Sequence, residues 1–297
     1  MGDVTDFEQR LKEVADRVTV ALDQLIPPAS GPEANLMRAM RHAALANGKR
    51  MRPFFVLETG AMFGVSEKSL LRTAAALECV HCYSLVHDDL PCMDDDDLRR
   101  GRPTAHKVFG EGVAVLAGDA LLTQAFEILA GARETPRHKT RDFLRELAVA
   151  AGSRCLIAGQ VADLEAEGRK STRSELKFIH EGKTAAMIAV SLRLGAMTAN
   201  ATPRQLEALT AFGRSLGLAF QVIDDILDVT QTSEMLGKSA GKDVAAQKTT
   251  YPALIGLDGA RREARRLTQA AHAALQPFRA KADRLHEIAD HLLAREY

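Results

Sequence analysis

The sequence contains no tryptophan, and its aromatic residues together make up only 5% of 297 residues. With few rings available, a core has to pack through Leu, Ala and Met, which favours helices. The β-strand signal is also almost absent, and the helical patterning continues without a break in composition. We therefore predict an all-α fold, built as one large helical bundle that spans residues 1–297 as a single domain.

The chain also lacks an excess of charge and a long apolar run. Lys plus Arg equals Asp plus Glu, at 39 each, so nothing in the bulk charge attracts nucleic acid or a membrane surface. No apolar run approaches the roughly 18 residues of a membrane span. Asp3 and Asp6 stand where a signal peptide would carry basic residues. We predict a cytoplasmic protein that does not bind nucleic acid or insert into a membrane.

Cysteine is scarce, with four residues in the whole chain. Cys79 and Cys82 have the C-x-x-C spacing of zinc ligands, but no second pair exists and this pair lies in an apolar helical run. We interpret them as buried thiols in a reducing compartment. Glu78 and His81 form an E-x-x-H motif, which in di-iron bundles is accompanied by a second copy that this sequence lacks.

Apolar residues recur at helical spacing along most of the chain. Capping and breaking residues predict helices or helical stretches over 7–25, 30–48, 66–89, 113–131, 137–168, 175–200, 202–228, 259–276 and 280–295. Gly182-Lys183-Thr184 interrupts one of these helices, and a glycine in a helix interior often marks a bend. We therefore expect a bend there. The segment 230–248 is rich in Gly, Ser and Lys, and we expect it to form a flap.

A first group of acidic residues directly follows an apolar helical run. It consists of Asp88, Asp89, Asp94, Asp95, Asp96 and Asp97, with Arg99 and Arg100 close behind. Burying so many carboxylates is costly unless cations neutralise them, and oxygen-rich sites suit hard ions such as Mg²⁺. The pattern predicts a magnesium site that receives a phosphorylated ligand.

A second acidic group lies far downstream and consists of Asp224, Asp225 and Asp228. Asp224 and Asp228 are four residues apart, so on a helix their carboxylates share one face. Asp88 and Asp94 would not share a face on a straight helix. Pro91 should end or kink that helix and let the chain bring Asp94 back.

Five motifs, in this order, resemble those of the short-chain trans-polyprenyl diphosphate synthases, most closely the bacterial farnesyl diphosphate synthases. They are G-K-R-M-R-P from Gly48, D-D-L-P-C-M-D from Asp88, R-R-G-R-P-T from Arg99, F-Q-V-I-D-D-I-L-D from Phe220 and K-T-T-Y-P from Lys248. The resemblance implies an isoprenoid-synthase bundle with a central cavity flanked by the two aspartate motifs, and a homodimer. It also implies condensation of isopentenyl diphosphate with dimethylallyl or geranyl diphosphate to (2E,6E)-farnesyl diphosphate.

The resemblance also assigns roles to individual residues. It implies three Mg²⁺ ions, replaceable by Mn²⁺, on Asp88, Asp89, Asp94, Asp224 and Asp228, with Asp225 as a further member of the catalytic set. It places isopentenyl diphosphate on Lys49, Arg52, His81 and Arg100, and the allylic diphosphate on Arg99 and Lys183. The composition of the predicted flap adds Lys238, Lys242 and Lys248 as candidate phosphate clamps. Thr184 and Gln221 would face the reacting carbon.

The resemblance further links product length to the residues just before the first aspartates. A bulky aromatic at Tyr83, five residues before Asp88, implies that growth stops at fifteen carbons, and we include the adjacent Ser84 as a chain-length residue. A role for Tyr83 as a core aromatic is equally compatible with its position.

Three alternatives remain at this stage. A geranylgeranyl or geranyl diphosphate synthase would carry the same motifs. A terpene cyclase would not need Lys49, Arg52 and Arg100 for a second diphosphate, and its N-D-x-x-S-x-x-x-E motif is absent. A non-catalytic partner subunit typically loses one aspartate group, whereas both are complete here.

Overall fold

The structure is a computed structural model and describes residues 6–230 and 249–294. Its elements in chain order are α1 (Asp6–Leu25), α2 (Ala34–Ala44), α3 (Met51–Met62), α4 (Glu67–Asp88), β1 (Leu98–Arg99), β2 (Arg102–Pro103), α5 (Ala105–Phe109), α6 (Glu111–Ala130), α7 (Thr140–Ala151), α8 (Leu156–Glu165), α9 (Arg173–His180), a π-helix (Glu181–Ala185), α10 (Ala186–Thr198), α11 (Pro203–Thr230), α12 (Tyr251–Ile255), α13 (Leu257–Leu275), a 3₁₀ helix (Gln276–Ala282) and α14 (Asp283–Ala294). The predicted all-α class is confirmed, since the described residues contain only one antiparallel pair of two-residue strands.

Contacts divide the chain into two compact units. The first unit is Met1–Leu144 with Met197–Asn200, and the second is Arg145–Ala196 with Ala201–Tyr297. The single domain expected from the sequence stays a prediction.

The first unit is built around α4, which packs against α3 and α6. A run of small and apolar side chains from Ala74 to Leu77 is fully buried on this helix. Ser66 precedes α4, as predicted, but its hydroxyl bonds Ser69 Oγ at 3.1 Å and no backbone N–H of the helix. The helix ends at Asp88, so it places half-buried Asp88 and buried Asp89 at the edge of the core of the unit.

The second unit is built around α11, the longest helix among the described residues, which packs against α13. It begins at Pro203, as the Thr202-Pro203 pair predicts. Its buried stripe includes Val222, Ile223 and Ile226, which pack with Leu267 of α13 in one apolar cluster. The same helix carries Gln221 and the second acidic group.

Some boundaries differ from the sequence expectation. The predicted 137–168 stretch is divided into α7 and α8, with residues 152–155 between them. The last helix begins at Asp283 rather than near Ala280, because Arg279 has a φ of 52°, which is not helical. The sequence analysis missed α3, whose residues 53–60 are all buried and so show no amphipathic period, and the two five-residue helices α5 and α12, which are too short to show periodicity. The predicted flap lies almost entirely outside the described residues.

By length and composition alone, two helical stretches, Glu111–Ala130 and Thr140–Glu165, could cross a membrane. Both stretches have a high mean hydropathy although they contain charged residues. A search for uninterrupted apolar runs therefore did not find them. Core helices of soluble proteins pass the same test, so this finding is weak evidence. The absence of membrane insertion stays a prediction.

Candidate active site

The first aspartate group lies where α4 ends and the chain turns back. The backbone N–H of Asp94 donates to the carbonyl of Asp88 at 2.8 Å, which closes a loop around Pro91. This confirms the prediction that the helix ends at this point and that Asp94 returns to Asp88. Asp88 is half-buried and Asp94 is exposed.

Asp89 and Arg99 form an ion pair within this loop. Arg99 Nε donates to Asp89 Oδ1 at 2.6 Å, and the same guanidinium reaches Asp96 Oδ2 at 3.5 Å. Asp89 is buried, and burial raises its pKa more than the charge of Arg99 lowers it. In this structure Asp89, a predicted metal ligand, therefore pairs with Arg99, which is predicted to bind the allylic diphosphate.

A strongly basic group lies beside the acidic loop in the first unit. The pKa of His81 is well below its usual range, because its ring is desolvated and Arg52 and Arg100 lie close to it. Desolvation also lowers the pKa of Arg52, whose Nε is buried and has no hydrogen-bond partner in the described part of the chain. The group therefore offers neutral His81 and the unsatisfied Nε–H of Arg52, an arrangement suited to an anion.

Arg100 joins this basic group through the loop that precedes α3. Its Nη1 donates to the carbonyl of Asn47 at 2.8 Å. A Cβ on Gly48 would lie 2.0 Å from Nη1 and 2.8 Å from Cζ of Arg100, so only glycine allows the guanidinium to approach this closely. Lys49, the next residue, is exposed. The structure thus brings the first motif and the R-R-G motif together.

The two proposed chain-length residues lie on α4 before Asp88. Tyr83 is buried, and its ring lies edge-on to that of His87 with centroids 5.9 Å apart. Burial, with a smaller contribution from Asp88, raises the pKa of Tyr83 to about 12, so the phenol is neutral. Ser84 donates its hydroxyl to the carbonyl of His81 at 2.9 Å. A bulky aromatic is therefore fixed one turn before the acidic loop.

The carboxylates of the first unit fit magnesium bound together with a phosphate. Among residues 6–230 and 249–294, no three His, Cys, Asp or Glu side chains already converge on one metal position. Mg²⁺ commonly keeps several waters and is bound by one or two carboxylates plus substrate phosphates. Asp88 and Asp94 supply such carboxylates from one closed loop. The donor set favours a metal that arrives with a diphosphate rather than a permanently caged ion.

In the second unit, the predicted bend at Gly182-Lys183-Thr184 is confirmed as a turn of π-helix between α9 and α10. π-bulges occur frequently at functional sites. The turn lies against α8, since a Cβ on Gly159 would lie 2.6 Å from the backbone nitrogen of Lys183. Lys183 Nζ donates to Asp163 Oδ2 of α8 at 2.8 Å. The lysine predicted to bind the allylic diphosphate is therefore also held by a carboxylate.

Thr184 and Gln221 lie together, as their predicted shared role requires. The hydroxyl of Thr184 donates to Gln221 Oε1 at 2.6 Å, although the two residues are 37 positions apart. This bond leaves the amide NH₂ of Gln221 as a donor. The pair presents neutral dipoles with no strong nucleophile.

The second acidic group lies near the end of α11. Asp224 is half-buried, and Asp228, four residues later, is buried. Asp225 is also buried, and its Oδ2 accepts the backbone N–H of Tyr251 at 2.9 Å. That bond ties α11 to the start of α12. Asp225 thus has a structural contact as well as its predicted role in the site.

His180, immediately before the π-helix, gives a pH prediction. It is buried beside Tyr251, and burial lowers its pKa to about 4 from 6.5. The unfolded chain then binds more protons between these values, so folding stability falls as pH falls from 6.5 to 4, by roughly 3 kcal/mol. We expect His180→Gln to reduce the fall in Tm across this window. The difference in Tm between variant and wild type at pH 7.5 corrects for altered packing. If Tm falls as much in the variant as in the wild type, His180 is not the group responsible for the pH dependence.

Sequence reasoning missed two site residues, Asp163 and Arg50. Asp163 has no motif of its own, and Arg50 lies inside a motif whose other basic residues were assigned to a ligand. A buried Arg50, in an ion pair with Glu78, could have been suspected from the apolar surroundings of Glu78 on α4. Lys238, Lys242 and Lys248 lie outside the described residues.

The chain is similar to known proteins over almost its whole length. A model of the polyprenyl synthetase family matches residues 33–289. The chain is 46% identical over 297 residues to farnesyl diphosphate synthase of Escherichia coli K12, covering 98% of this chain and 99% of that protein. It is 45% identical over 295 residues to a chloroplastic geranylgeranyl pyrophosphate synthase of Capsicum annuum, covering 98% of this chain and 79% of that protein. The solved FPP/GFPP synthase of Zymomonas mobilis matches with a TM-score of 0.86 and 36% identity, covering 97% of this chain and 99% of that one. The chain therefore belongs to the polyprenyl synthetase family.

Proposed function

We propose that this chain condenses isopentenyl diphosphate with dimethylallyl or geranyl diphosphate and releases (2E,6E)-farnesyl diphosphate. Its family gives the reaction class, which is trans-prenyl transfer. The observation that carries the proposal is the basic group of Arg52, His81 and Arg100, which lies beside a complete acidic loop. A terpene cyclase has one diphosphate to bind and does not need this second, metal-free anion site.

In the first step the carbon–oxygen bond breaks, and the protein has to stabilise the negative charge that develops on the departing diphosphate. When bound, Mg²⁺ supplies Lewis-acid neutralisation of that charge. We propose Asp88, Asp94, Asp224 and Asp228 as its ligands, three ions per site, and replacement by Mn²⁺. Asp89 bonds Arg99 in this structure, and we propose it as a further ligand once Arg99 binds the diphosphate instead.

We propose that Arg99 and Lys183 exchange their carboxylate partners for the allylic diphosphate. Both now bond carboxylates, Asp89 at 2.6 Å and Asp163 at 2.8 Å. These pairs hold the cations in place before the substrate arrives, so less side-chain freedom is lost on binding. Charge-assisted hydrogen bonds to the diphosphate would then stabilise the charge that develops on it. Lys238 and Lys248 are proposed to contribute from the segment outside the described residues.

The carbocation left behind needs dipoles that do not react with it. Thr184 and Gln221 supply such dipoles, held by their 2.6 Å hydrogen bond, and the Lys183 carbonyl is a further candidate. The double bond of isopentenyl diphosphate then attacks the cation, a carbon–carbon bond forms, and a proton leaves the adjacent carbon. We propose that the departed diphosphate takes this proton, so the aspartates need not act as bases.

The proposal is tested by product chromatography after supplying dimethylallyl and isopentenyl diphosphates with Mg²⁺. We expect the fifteen-carbon product to dominate. Accumulation of ten or twenty carbons would support a geranyl or geranylgeranyl diphosphate synthase, as the similarity to the Capsicum annuum enzyme allows. Full inactivity of the isolated chain would favour a non-catalytic partner subunit.

Tyr83 gives a separate prediction about chain length. If its buried ring stops the growing chain, then Tyr83→Ala should shift the main product from fifteen to twenty carbons, because it opens space beside His87. Tyr83→Phe keeps the ring and should keep the fifteen-carbon product. The ratio of the two products by chromatography is the measurement. An unchanged ratio in Tyr83→Ala would leave Tyr83 as a core aromatic only.

We also propose that the protein is a cytoplasmic homodimer. Large apolar side chains are exposed on α6 of the first unit, where Leu116 is 58% and Val115 is 40% exposed. Neighbouring exposed apolar residues on one helix are a typical sign of a protein interface. Light scattering that gives the mass of one chain would contradict the dimer.

A further inference from the structure

Arg50 lies in the middle of the G-K-R-M-R-P motif, but its side chain is directed into the core. Arg50 is 2% exposed, and its guanidinium forms an ion pair with Glu78 of α4 at 2.7 Å. The neighbours Lys49 and Arg52 are more exposed than Arg50. Arg50 is therefore not placed to touch a ligand in the basic group.

The guanidinium of Arg50 joins three helices and a loop. Besides Glu78, it donates to the carbonyl of Ala44, the last residue of α2, at 2.8 Å and to that of Ala46 at 2.7 Å. It also reaches the hydroxyl of Thr19 on α1 at 3.4 Å. A planar group with several fixed donors can satisfy these acceptors at once, which a lysine cannot do.

The backbone of Arg50 is also specialised. Its φ of 50° lies in the left-handed region, and it is the residue directly before α3. This conformation is unfavourable for a residue with a Cβ and persists only when the surroundings impose it. The four side-chain bonds supply that constraint, and so they fix the direction in which the chain enters α3.

The four residues that we propose as contacts of isopentenyl diphosphate are all linked to Arg50 or to its hydrogen-bond partners. Lys49 and Arg52 flank it in the chain. Arg100 bonds the carbonyl of Asn47 in the loop that Arg50 fastens, and His81 lies one helical turn after Glu78 on α4. One buried guanidinium is thus linked, through the chain or through its partners, to four residues that are predicted to contact the ligand.

We propose that Arg50, through its buried pair with Glu78, is a positioning residue that pre-arranges the basic group for the diphosphate of isopentenyl diphosphate. This inference rests on the proposed function of that group. A buried ion pair is a poor means of gaining stability, because apolar side chains of similar volume often replace it without loss. Apolar side chains could not donate hydrogen bonds to the carbonyls of Ala44 and Ala46. The pair therefore has a positioning role in addition to any effect on stability.

The test uses the double variant Arg50→Met/Glu78→Leu, which removes both buried charges together. We expect a folded protein with a somewhat lower Tm, because the carbonyls of Ala44 and Ala46 lose their donor, and about tenfold weaker binding of isopentenyl diphosphate by titration calorimetry without Mg²⁺ or allylic substrate. In steady-state assays, KM for isopentenyl diphosphate should rise by a similar factor, while kcat and KM for geranyl diphosphate change less than about twofold. Arg100→Ala removes a proposed direct contact, so its loss of affinity for isopentenyl diphosphate is the reference against which the double variant is compared.

A matched control lies in the second unit. Arg193 forms a bidentate pair with Glu146 and also approaches the carbonyl of Leu206 at 3.4 Å. Arg193→Met/Glu146→Leu removes a half-buried arginine–glutamate pair that also links separate helices, and it should leave the affinity for isopentenyl diphosphate unchanged. If the Arg50 double variant does not fold, Arg50→Lys decides, with an expected three- to tenfold loss of affinity.

Unchanged affinity in a folded Arg50 variant, or an equal loss in the Arg193 control, would overturn the proposal. A rise in both KM values together with a lower kcat would point to general damage and would also overturn it. Failure of the proposed function is distinguishable, because in that case the wild type itself would not bind isopentenyl diphosphate in the calorimeter.

Discussion

Asp88→Ala is expected to lower kcat about a thousandfold while leaving the helical content unchanged. Asp88 ends α4, and its carbonyl holds the N–H of Asp94 at 2.8 Å. Substitution by alanine keeps that backbone bond and removes only the carboxylate. If the carboxylate holds the ion that neutralises the leaving diphosphate, its loss costs about 4 kcal/mol of transition-state stabilisation, which corresponds to roughly three orders of magnitude.

A control for this variant lies in the same loop. Asp95 is exposed, has a φ of 49°, and has no role in the proposed site. Asparagine tolerates this left-handed conformation, so Asp95→Asn removes a charge without a change of backbone. We expect kcat within about twofold of the wild type. Near-normal turnover in Asp88→Ala, measured by single-turnover kinetics and circular dichroism, would remove Asp88 from the metal site.

Asp224→Ala is expected to cause a loss of similar size, for the same electrostatic reason. Asp224 lies on α11 four residues before Asp228, so the two carboxylates share one helical face. The effect should appear in kcat and in the Mg²⁺ concentration needed for half-maximal rate. The affinity for isopentenyl diphosphate should stay within about twofold, because the basic group of the first unit is untouched.

Asp258 provides the control for this second variant. Its side chain is 86% exposed and lies 3.8 Å from Arg261, so Asp258→Ala removes a carboxylate near the start of another helix of the second unit. We expect it to leave turnover and the Mg²⁺ requirement unchanged. If Asp224→Ala resembles Asp258→Ala, then Asp224 is not a metal ligand.

The sequence predicts the site best where a local rule applies. Pro91 cannot continue a helix, so the return of Asp94 to Asp88 follows from the sequence. Gly182 in a helix interior marks the bend that the structure shows as a π-helix, and Pro203 marks the start of α11. Each of these features depends on residues within a few positions of one another.

The parts that the sequence did not predict depend on contacts between distant residues. The partner of Lys183 is Asp163, 20 positions earlier, and the partner of Arg50 is Glu78, 28 positions later. Helical periodicity says which face a residue occupies, but not which charged side chain lies opposite it. The motif assigned Arg99 to a ligand, whereas the structure pairs it with Asp89. Motifs therefore propose which residues belong to the site, but they do not give the pairings that these residues form in the structure.

The central claim is that the chain joins two diphosphate substrates with release of one diphosphate. The most direct measurement follows inorganic diphosphate and carbon-chain length together, with geranyl and isopentenyl diphosphates and with Mg²⁺ present or chelated. The account predicts one diphosphate released for each isopentenyl unit added, and no release when Mg²⁺ or isopentenyl diphosphate is withheld. Release from geranyl diphosphate alone, without elongation, would contradict it.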